Sequence, residues 1–388
     1  MSDLKRIEVY LVPGFLGFSE LSERFDYFID VARCLEAELR GHGFDACVRV
    51  TEVESPAGSV GNRSAELARF LDEAHEGRSP VHLIGHSTGG LDIRRLLADR
   101  RFAGMRYMAR VRTAIGVATP HRGTPLATVA QRIGFGRALR VLGVPGVVRL
   151  LGCVLSALRR PLRWLSRWPI DPLLDRIIGD VLVGDLTDAE EWLEQIGEDV
   201  GALHDLQPKA MRERFNRDYP DRAGVRYADV ITGVAPPRRG SAGAERSLEE
   251  VLRGWDPRRV SFLTLNTLIF RLFWSVIAFA PLSETEATRE IVRRARGQGA
   301  VFGGLEPTAE CSDGIVPTFS QTLEGHRILG VFASDHLDCV GHFPHETEDG
   351  GEAIDVPGWV HSGASFDGAR FERLWGEVAR FIAEVEGG

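Results

Sequence analysis

The sequence predicts an α/β fold, a mostly parallel sheet flanked by helices, with a large helical insertion. Three observations predict it. β-Branched apolar runs alternate with amphipathic stretches of about 10–15 residues through the first third of the chain, a rhythm that implies right-handed crossovers and parallel pairing. Val81-His82-Leu83-Ile84 leads into Gly85-His86-Ser87-Thr88-Gly89 and then into an amphipathic stretch from Gly90 to Ala98, which reads as strand, sharp turn and helix. Core-like segments return after Gly304, late enough to complete a sheet begun near the N-terminus.

Taken in order, Ile7 to Val12 predicts the first strand, ended by Pro13-Gly14. Helical spacing of apolar residues predicts a helix over Phe25 to Leu39, stopped at Gly41. Ala46 to Val50 predicts a short strand, Ser64 to Ala74 a helix, Val81 to Ile84 a strand, Leu91 to Ala98 a helix and Val111 to Val117 a strand. After Pro125 the pattern changes. Ala130 to Trp168 reads as helical, basic and apolar, broken at Gly143-Val144-Pro145-Gly146 and at Pro161, and Ala189 to Arg217 as a charged helical region. Val225 to Gly233 predicts another strand, and Pro236 to Ser247 a loop.

Val260 to Leu282 is the most apolar window, and its polar residues Ser261, Thr264, Thr267, Arg271 and Ser275 recur at helical steps. Arg271 at its centre is costly in lipid, so the window reads as a cap helix, buried or lipid-facing, in preference to a membrane span. Ser283-Glu284-Thr285-Glu286 forms a capping box that starts a polar helix. Ile315-Val316, Arg327 to Ala333 and a final helix from Ala369 to Val385 close the pattern. The resulting division is a core of residues 1–125, 220–235 and 300–388, with helical cap or lid insertions at 126–219 and 236–299.

Composition bounds the class. The chain has 388 residues, 44% of them hydrophobic, enough for one large domain carrying a substantial insertion. A net charge of −8 argues against a nucleic-acid partner. The average hides a block from Arg100 to Ile170 with 14 arginines and no Asp or Glu. This basic region, Arg100–Arg167, fits either an anionic membrane surface or an arginine face paired with the acidic remainder. The start, Met1-Ser2-Asp3-Leu4-Lys5-Arg6, enters a strand with no apolar signal region before it. The expectation is a cytoplasmic protein, with peripheral membrane association or export without a cleavable signal as alternatives. Five cysteines, odd in number and without metal-ligand spacing, predict free thiols, with a Cys311–Cys339 bridge as the alternative.

The chemistry starts at Ser87. Gly85 and Gly89 allow the strained backbone of a nucleophile elbow, which pushes the serine hydroxyl out over the sheet. Acyl transfer by a serine then needs a base, a carboxylate to orient the base, and donors for the oxyanion. Asp313, in Cys311-Ser312-Asp313-Gly314, is the acid candidate, because Gly314 permits a tight turn where a late strand should end. His336 follows the strand Arg327 to Ala333 and is preferred as base over His342, His345 and His361. The backbone N–H of Thr88 opens a helix whose dipole favours negative charge. The second oxyanion donor should come from Pro13-Gly14-Phe15-Leu16-Gly17, at Phe15 or else Leu16.

Val12-Pro13-Gly14-Phe15-Leu16-Gly17, Gly85 to Gly90, Thr119-Pro120-His121-Arg122-Gly123-Thr124, Ser312-Asp313-Gly314-Ile315-Val316-Pro317 and His336-Leu337-Asp338 occur in the order seen in bacterial triacylglycerol lipases. Arg63-Ser64-Ala65-Glu66-Leu67 also looks like the helix before their nucleophile strand. The chain thus resembles lipase-like members of the α/β-hydrolase superfamily over roughly residues 6–128, 225–234 and 311–340. The resemblance implies an α/β-hydrolase fold, a Ser87–Asp313–His336 triad, an oxyanion hole of Phe15 and Thr88, and a lid from about Ala127 to Trp168.

Such relatives usually open the oxyanion turn with His-Gly, where this chain has Pro13-Gly14, and often bind calcium through an aspartate matching Asp338. Here Gly341-His342 replaces the Asn-Gln pair that usually follows, so no cofactor is expected and Asp338 stands as a weak calcium candidate. The expected activity is carboxylester hydrolysis of a lipid-like acyl ester. An acyltransferase using the same triad, and a non-catalytic membrane-surface protein on a hydrolase scaffold, are the alternatives.

Overall fold

Among the described residues seven strands form the main sheet, ordered β2-β1-β3-β4-β5-β7-β6, and every pairing between them is parallel. They are β1 (Lys5–Val12), β2 (Phe44–Val50), β3 (Val81–His86), β4 (Val111–Val117), β5 (Arg226–Gly233), β6 (Val301–Gly303) and β7 (Arg327–Ala333). The computed structural model describes residues 4–14, 27–52, 54–55, 58–75, 77–132, 201–235, 285–343, 345–346, 352–353 and 366–387. Both predicted insertions fall largely outside that set, including 133–200 and 236–284, and with them Ala130 to Trp168 beyond Arg132, the Pro236 to Ser247 loop and the Val260 to Leu282 helix. Phe15 also lies outside it. Among the described residues no helix is long and apolar enough to cross a membrane.

Strand alternation sends successive side chains of β1 to opposite faces, and each face is covered by a helix pair. Ile7, Val9 and Leu11 pack with Leu35 and Leu39 of α1 (Val31–Gly41) and with Trp375, Val378 and Ile382 of the C-terminal helix α6 (Gly368–Gly387). Tyr10 and Val12 pack instead with Leu67 and Leu71 of α2 (Val60–Ala74) and with Ile93 and Leu96 of α3 (Thr88–Ala98). All of these side chains are buried, and each large one contributes about 1.5–3 kcal/mol of burial free energy. The strands are apolar on both sides because both faces are covered. In this frame β3 sits between β1 and β4, and the register Val12↔Gly85 and Gly85↔Gly116 brings their C-terminal ends to one sheet edge.

The structure moves several boundaries. Helix α1 starts at Val31, not Phe25, because the chain before it is tied elsewhere. Ile29 donates its N–H to Val340 O at 2.9 Å, His342 Nε2 donates to Tyr27 O at 3.0 Å, and Asp30 turns the chain with φ 57°. Helix α2 begins at Val60, four residues before Ser64, since Ser59 Oγ caps it by accepting from Asn62 N. Helix α4 (Pro125–Arg132) and short helices at Gly201–Asp205, Pro208–Ala210, Met211–Phe215 and Asn216–Asp218 are the described parts of the expected helical regions. The polar helix expected after Ser283 is α5 (Thr285–Gly297). Ile315-Val316 is not a strand but part of the turn around Asp313, and β6 has only three residues, too few to leave a periodic signal. Cys34, Cys47, Cys311 and Cys339 are free thiols; the Cys339 Sγ donates to His336 O at 3.2 Å, so the Cys311–Cys339 bridge does not form.

Candidate active site

Ser87 occupies the turn between β3 and α3 with φ 53° and ψ −127°, a conformation that L side chains rarely adopt. Its neighbours explain how the strain is held. Ser87 N–H donates to Val117 O on the adjacent strand at 2.9 Å, and Ser87 O accepts from Gly90 N at 3.2 Å. A Cβ on Gly85 would lie 2.2 Å from Gly90 N, and one on Gly89 would lie 2.2 Å from Val12 O. Strand and helix therefore close on each other only because both flanking positions lack side chains. Thr88 is the first residue of α3, so its N–H is among the first-turn amides that the helix cannot pair internally.

Asp313 and His336 are brought together directly. His336 Nδ1 lies 2.8 Å from Asp313 Oδ2, and His336 N–H donates to Asp313 O at 3.0 Å. Asp313 is fully buried and heavily solvated by protein donors. Its Oδ1 accepts from Ile315 N at 3.0 Å and Val316 N at 2.7 Å; its Oδ2 also accepts from Thr232 Oγ1 at 2.9 Å and Gln321 Nε2 at 3.1 Å. Gly314, at φ 92°, lets the chain double back to supply those amides. This donor set holds a charge that would otherwise be costly to bury, and it orients the carboxylate toward the imidazole. Among the described residues, no hydrogen bond joins Ser87 to His336. His86, the residue before Ser87, packs on the base: its ring centroid is 4.7 Å from that of His336.

The turn after β1 is anchored on two sides. Arg63 Nη2 donates to Pro13 O at 2.7 Å and forms a buried ion pair with Asp92 of α3 at 2.8 Å. Gly14 N–H donates to Tyr27 Oη at 2.9 Å. A Cβ on Gly14 would lie 2.6 Å from the Cβ of Ser87, so this turn touches the serine. Phe15, the expected oxyanion donor, is the next residue and lies outside the described set. Tyr27, His86, Thr232, Gln321 and the Arg63–Asp92 pair all escape sequence reading. Tyr27 hides inside an apparent helix, His86 is an unspecified position of the serine motif, and nothing local marks Thr232 or Gln321.

Asp338 faces inward. Its Oδ2 accepts from Asp335 N at 3.1 Å, and burial, reinforced by the nearby Asp335 carboxylate, pushes its pKa well up. Among the described residues Asp338 belongs to no group of three or more His, Cys, Asp or Glu side chains with converging ligand atoms. The group that does assemble is elsewhere: His121, Asp229 and His326, all buried. His121 Nε2 lies 2.9 Å from Asp229 Oδ1, His326 Nδ1 lies 2.8 Å from Asp229 Oδ2, and His326 Nε2 lies 3.0 Å from Asp221 Oδ2. These are hydrogen-bond lengths. Two donors on one tetrahedral zinc stand about 3.3 Å apart, given metal–ligand bonds near 2.0–2.1 Å. His326, with a carboxylate at each ring nitrogen, is held as an imidazolium: burial pulls its pKa down, but Asp229 and Asp221 outweigh it and raise it to about 9.

A solved metagenomic carboxyl esterase superposes on this chain with a TM-score of 0.51, covering 97% of this chain and 76% of the esterase at 16% identity. The fold is that of the α/β-hydrolases. Two curated relatives of this chain are named triacylglycerol lipase. One, from Pseudarthrobacter phenanthrenivorans, is 30% identical over 131 residues, which is 33% of this chain and 37% of the relative. The other, from Burkholderia plantarii, is 30% identical over 131 residues, 33% of each. The match thus spans about a third of each curated relative. No protein-family model matches the chain.

Proposed function

We propose that the chain is a serine carboxylester hydrolase that cleaves lipid-like acyl esters through an acyl-enzyme on Ser87. The observation that carries this reading is the pair of hydrogen bonds from His336 to Asp313, together with a serine strained at the C-terminal end of β3. In the proposed reaction the Ser87 hydroxyl attacks the ester carbonyl while His336 Nε2 takes its proton. Asp313 keeps the imidazole in the tautomer with hydrogen on Nδ1 and steadies the imidazolium that forms. The amides of Thr88 and Phe15 receive the oxyanion. His336 then gives its proton to the leaving alcohol, and water repeats the sequence to release the acid.

The names of the two curated relatives support a lipase or esterase activity. The apolar sequence of Val260 to Leu282 and the basic region Arg100–Arg167 are what a chain meeting greasy esters at an anionic surface would carry. The test is hydrolysis of a p-nitrophenyl ester series from acetate to palmitate, with Ser87→Ala as control. Turnover that disappears in Ser87→Ala, with preference for long chains, supports the reading. An absence of both hydrolysis and fluorophosphonate labelling in the wild type overturns it.

A further inference from the structure

Four hydrogen bonds among buried groups run in one line from the turn after β1 to the loop after β7, passing the residue next to Ser87. Gly14 N–H donates to Tyr27 Oη at 2.9 Å, Tyr27 Oη lies 2.6 Å from His86 Nδ1, His86 Nε2 lies 2.8 Å from His336 O, and His336 N–H donates to Asp313 O at 3.0 Å. The donor directions follow without choice. A carbonyl only accepts, so His86 carries its hydrogen on Nε2. The ring is neutral: burial, with His336 close by, drives its pKa well down. Its bare Nδ1 therefore accepts the Tyr27 hydroxyl hydrogen, and the phenol oxygen keeps lone pairs for Gly14 N–H. Every group in the line is satisfied, which is the condition under which a buried polar chain rigidifies its surroundings.

Tyr27 is itself held in place. His342 Nε2 donates to its carbonyl at 3.0 Å, and Ile29 N–H donates to Val340 O at 2.9 Å, so the stretch from Tyr27 to Ile29 is docked on the loop that carries His336. A Cβ on Gly14 would lie 2.7 Å from Tyr27 Oη and 2.6 Å from Ser87 Cβ, which puts tyrosine, turn and serine in contact. The Gly14 amide is already engaged with Tyr27 and is not itself free to serve an oxyanion.

The geometry points to Tyr27 and His86 as positioning residues that hold the oxyanion turn and the His336 loop at a set separation across Ser87. This rests on the hydrolase reading above. Oxyanion donors and general base come from opposite ends of the sequence, and an error of about 1 Å between them costs on the order of 100-fold in rate. A hydrogen-bonded strut between the two is a direct way to set that distance.

The test compares Tyr27→Phe, His86→Leu and His86→Gln with the wild type in kcat, KM, fluorophosphonate labelling rate and urea midpoint. Tyr27→Phe frees the Gly14 amide, His86→Leu removes both imidazole bonds, and His86→Gln offers a new donor to His336 O. The expected result for Tyr27→Phe is a kcat lower by about 10–100-fold with KM changed by less than about threefold, and a matching loss in labelling rate. His86→Leu should fall at least as far, and His86→Gln should recover part of the loss. Full turnover by a folded Tyr27→Phe overturns the inference, as do losses that merely follow the fall in urea midpoint across the three variants. If Tyr27→Phe does not fold, the difference between His86→Gln and His86→Leu decides in the same way. A wild type that neither hydrolyses nor labels removes the hydrolase reading and this one together, whereas an active wild type beside an equally active Tyr27→Phe removes only this one.

Discussion

His336 is bound to Asp313 twice, through Nδ1 to Oδ2 at 2.8 Å and through its own N–H to the Asp313 carbonyl at 3.0 Å. The second bond holds the backbone of the base to the backbone of the acid, so the first does not depend on a flexible side-chain encounter. Asp313 is in turn fixed by Ile315, Val316, Thr232 and Gln321, which leaves Oδ2 one direction in which to face the imidazole.

Replacing Asp313 by Asn tests the acid directly. Asn keeps the volume but offers an amide N–H to His336 Nδ1, which forces the hydrogen onto Nε2, where the serine proton must go. Ester hydrolysis should fall by about four orders of magnitude in kcat/KM. The measurement is p-nitrophenyl ester kinetics, with circular dichroism to verify that the variant is folded; a loss under tenfold would remove Asp313 from its role.

The elbow glycines should be intolerant for steric reasons alone. A Cβ on Gly89 meets Val12 O at 2.2 Å, whereas one on Gly104 meets nothing within 4 Å. Gly89→Ala should cost at least about 1–3 kcal/mol because backbone, not a pliable side chain, must yield. Gly104→Ala should be near neutral. Urea titrations of the two variants give the comparison, and equal midpoints would contradict the packing described.

Arg63 and Asp92 form an ion pair with both side chains 1% exposed. Arg63→Met strands the Asp92 carboxylate in the interior and should destabilise by about 3–5 kcal/mol. The double variant Arg63→Met, Asp92→Leu should recover much of that, since an apolar pair leaves no uncompensated charge. Chemical denaturation of the three proteins checks it; a double variant less stable than the single one would show that Arg63 acts mainly through Pro13 O.

His326 gives the molecule an alkaline limit. Its pKa is raised from the ordinary 6.5 to about 9 in the folded state by Asp229 and Asp221, against the opposing effect of burial. A folded-state pKa above the unfolded value stabilises fully below pH 6.5, and the contribution is lost as the pH rises through about 9. The wild-type urea midpoint should therefore fall between pH 6.5 and pH 9. His326→Gln should be less stable at pH 6 and flatter across that window. A wild-type midpoint that rises over the window would reverse the sign and refute the imidazolium assignment.

The order of the elements was legible in the chain because it follows from local patterns. The apolar runs of β3 and β4 mark buried parallel strands, and glycines two residues either side of Ser87 mark an elbow. Asp313 and His336 stand after successive strands, which parallel topology must deliver to one edge. Periodicity alone could not find the start of α1, since Tyr27 to Asp30 has helical spacing yet is pulled away by Val340 and His342, more than three hundred residues downstream.

Sequence therefore determined the fold class, the elbow and the candidate acid and base, all of which are set by backbone sterics and strand order. Tertiary structure alone decided which side chains support them: Tyr27 and His86 spanning the two loops, Thr232 and Gln321 holding Asp313, Arg63 holding the turn at Pro13. These are pairings between distant segments. A hydrogen bond across the core depends on where the sheet register brings two atoms, and residue type or spacing along the chain carries no record of that distance.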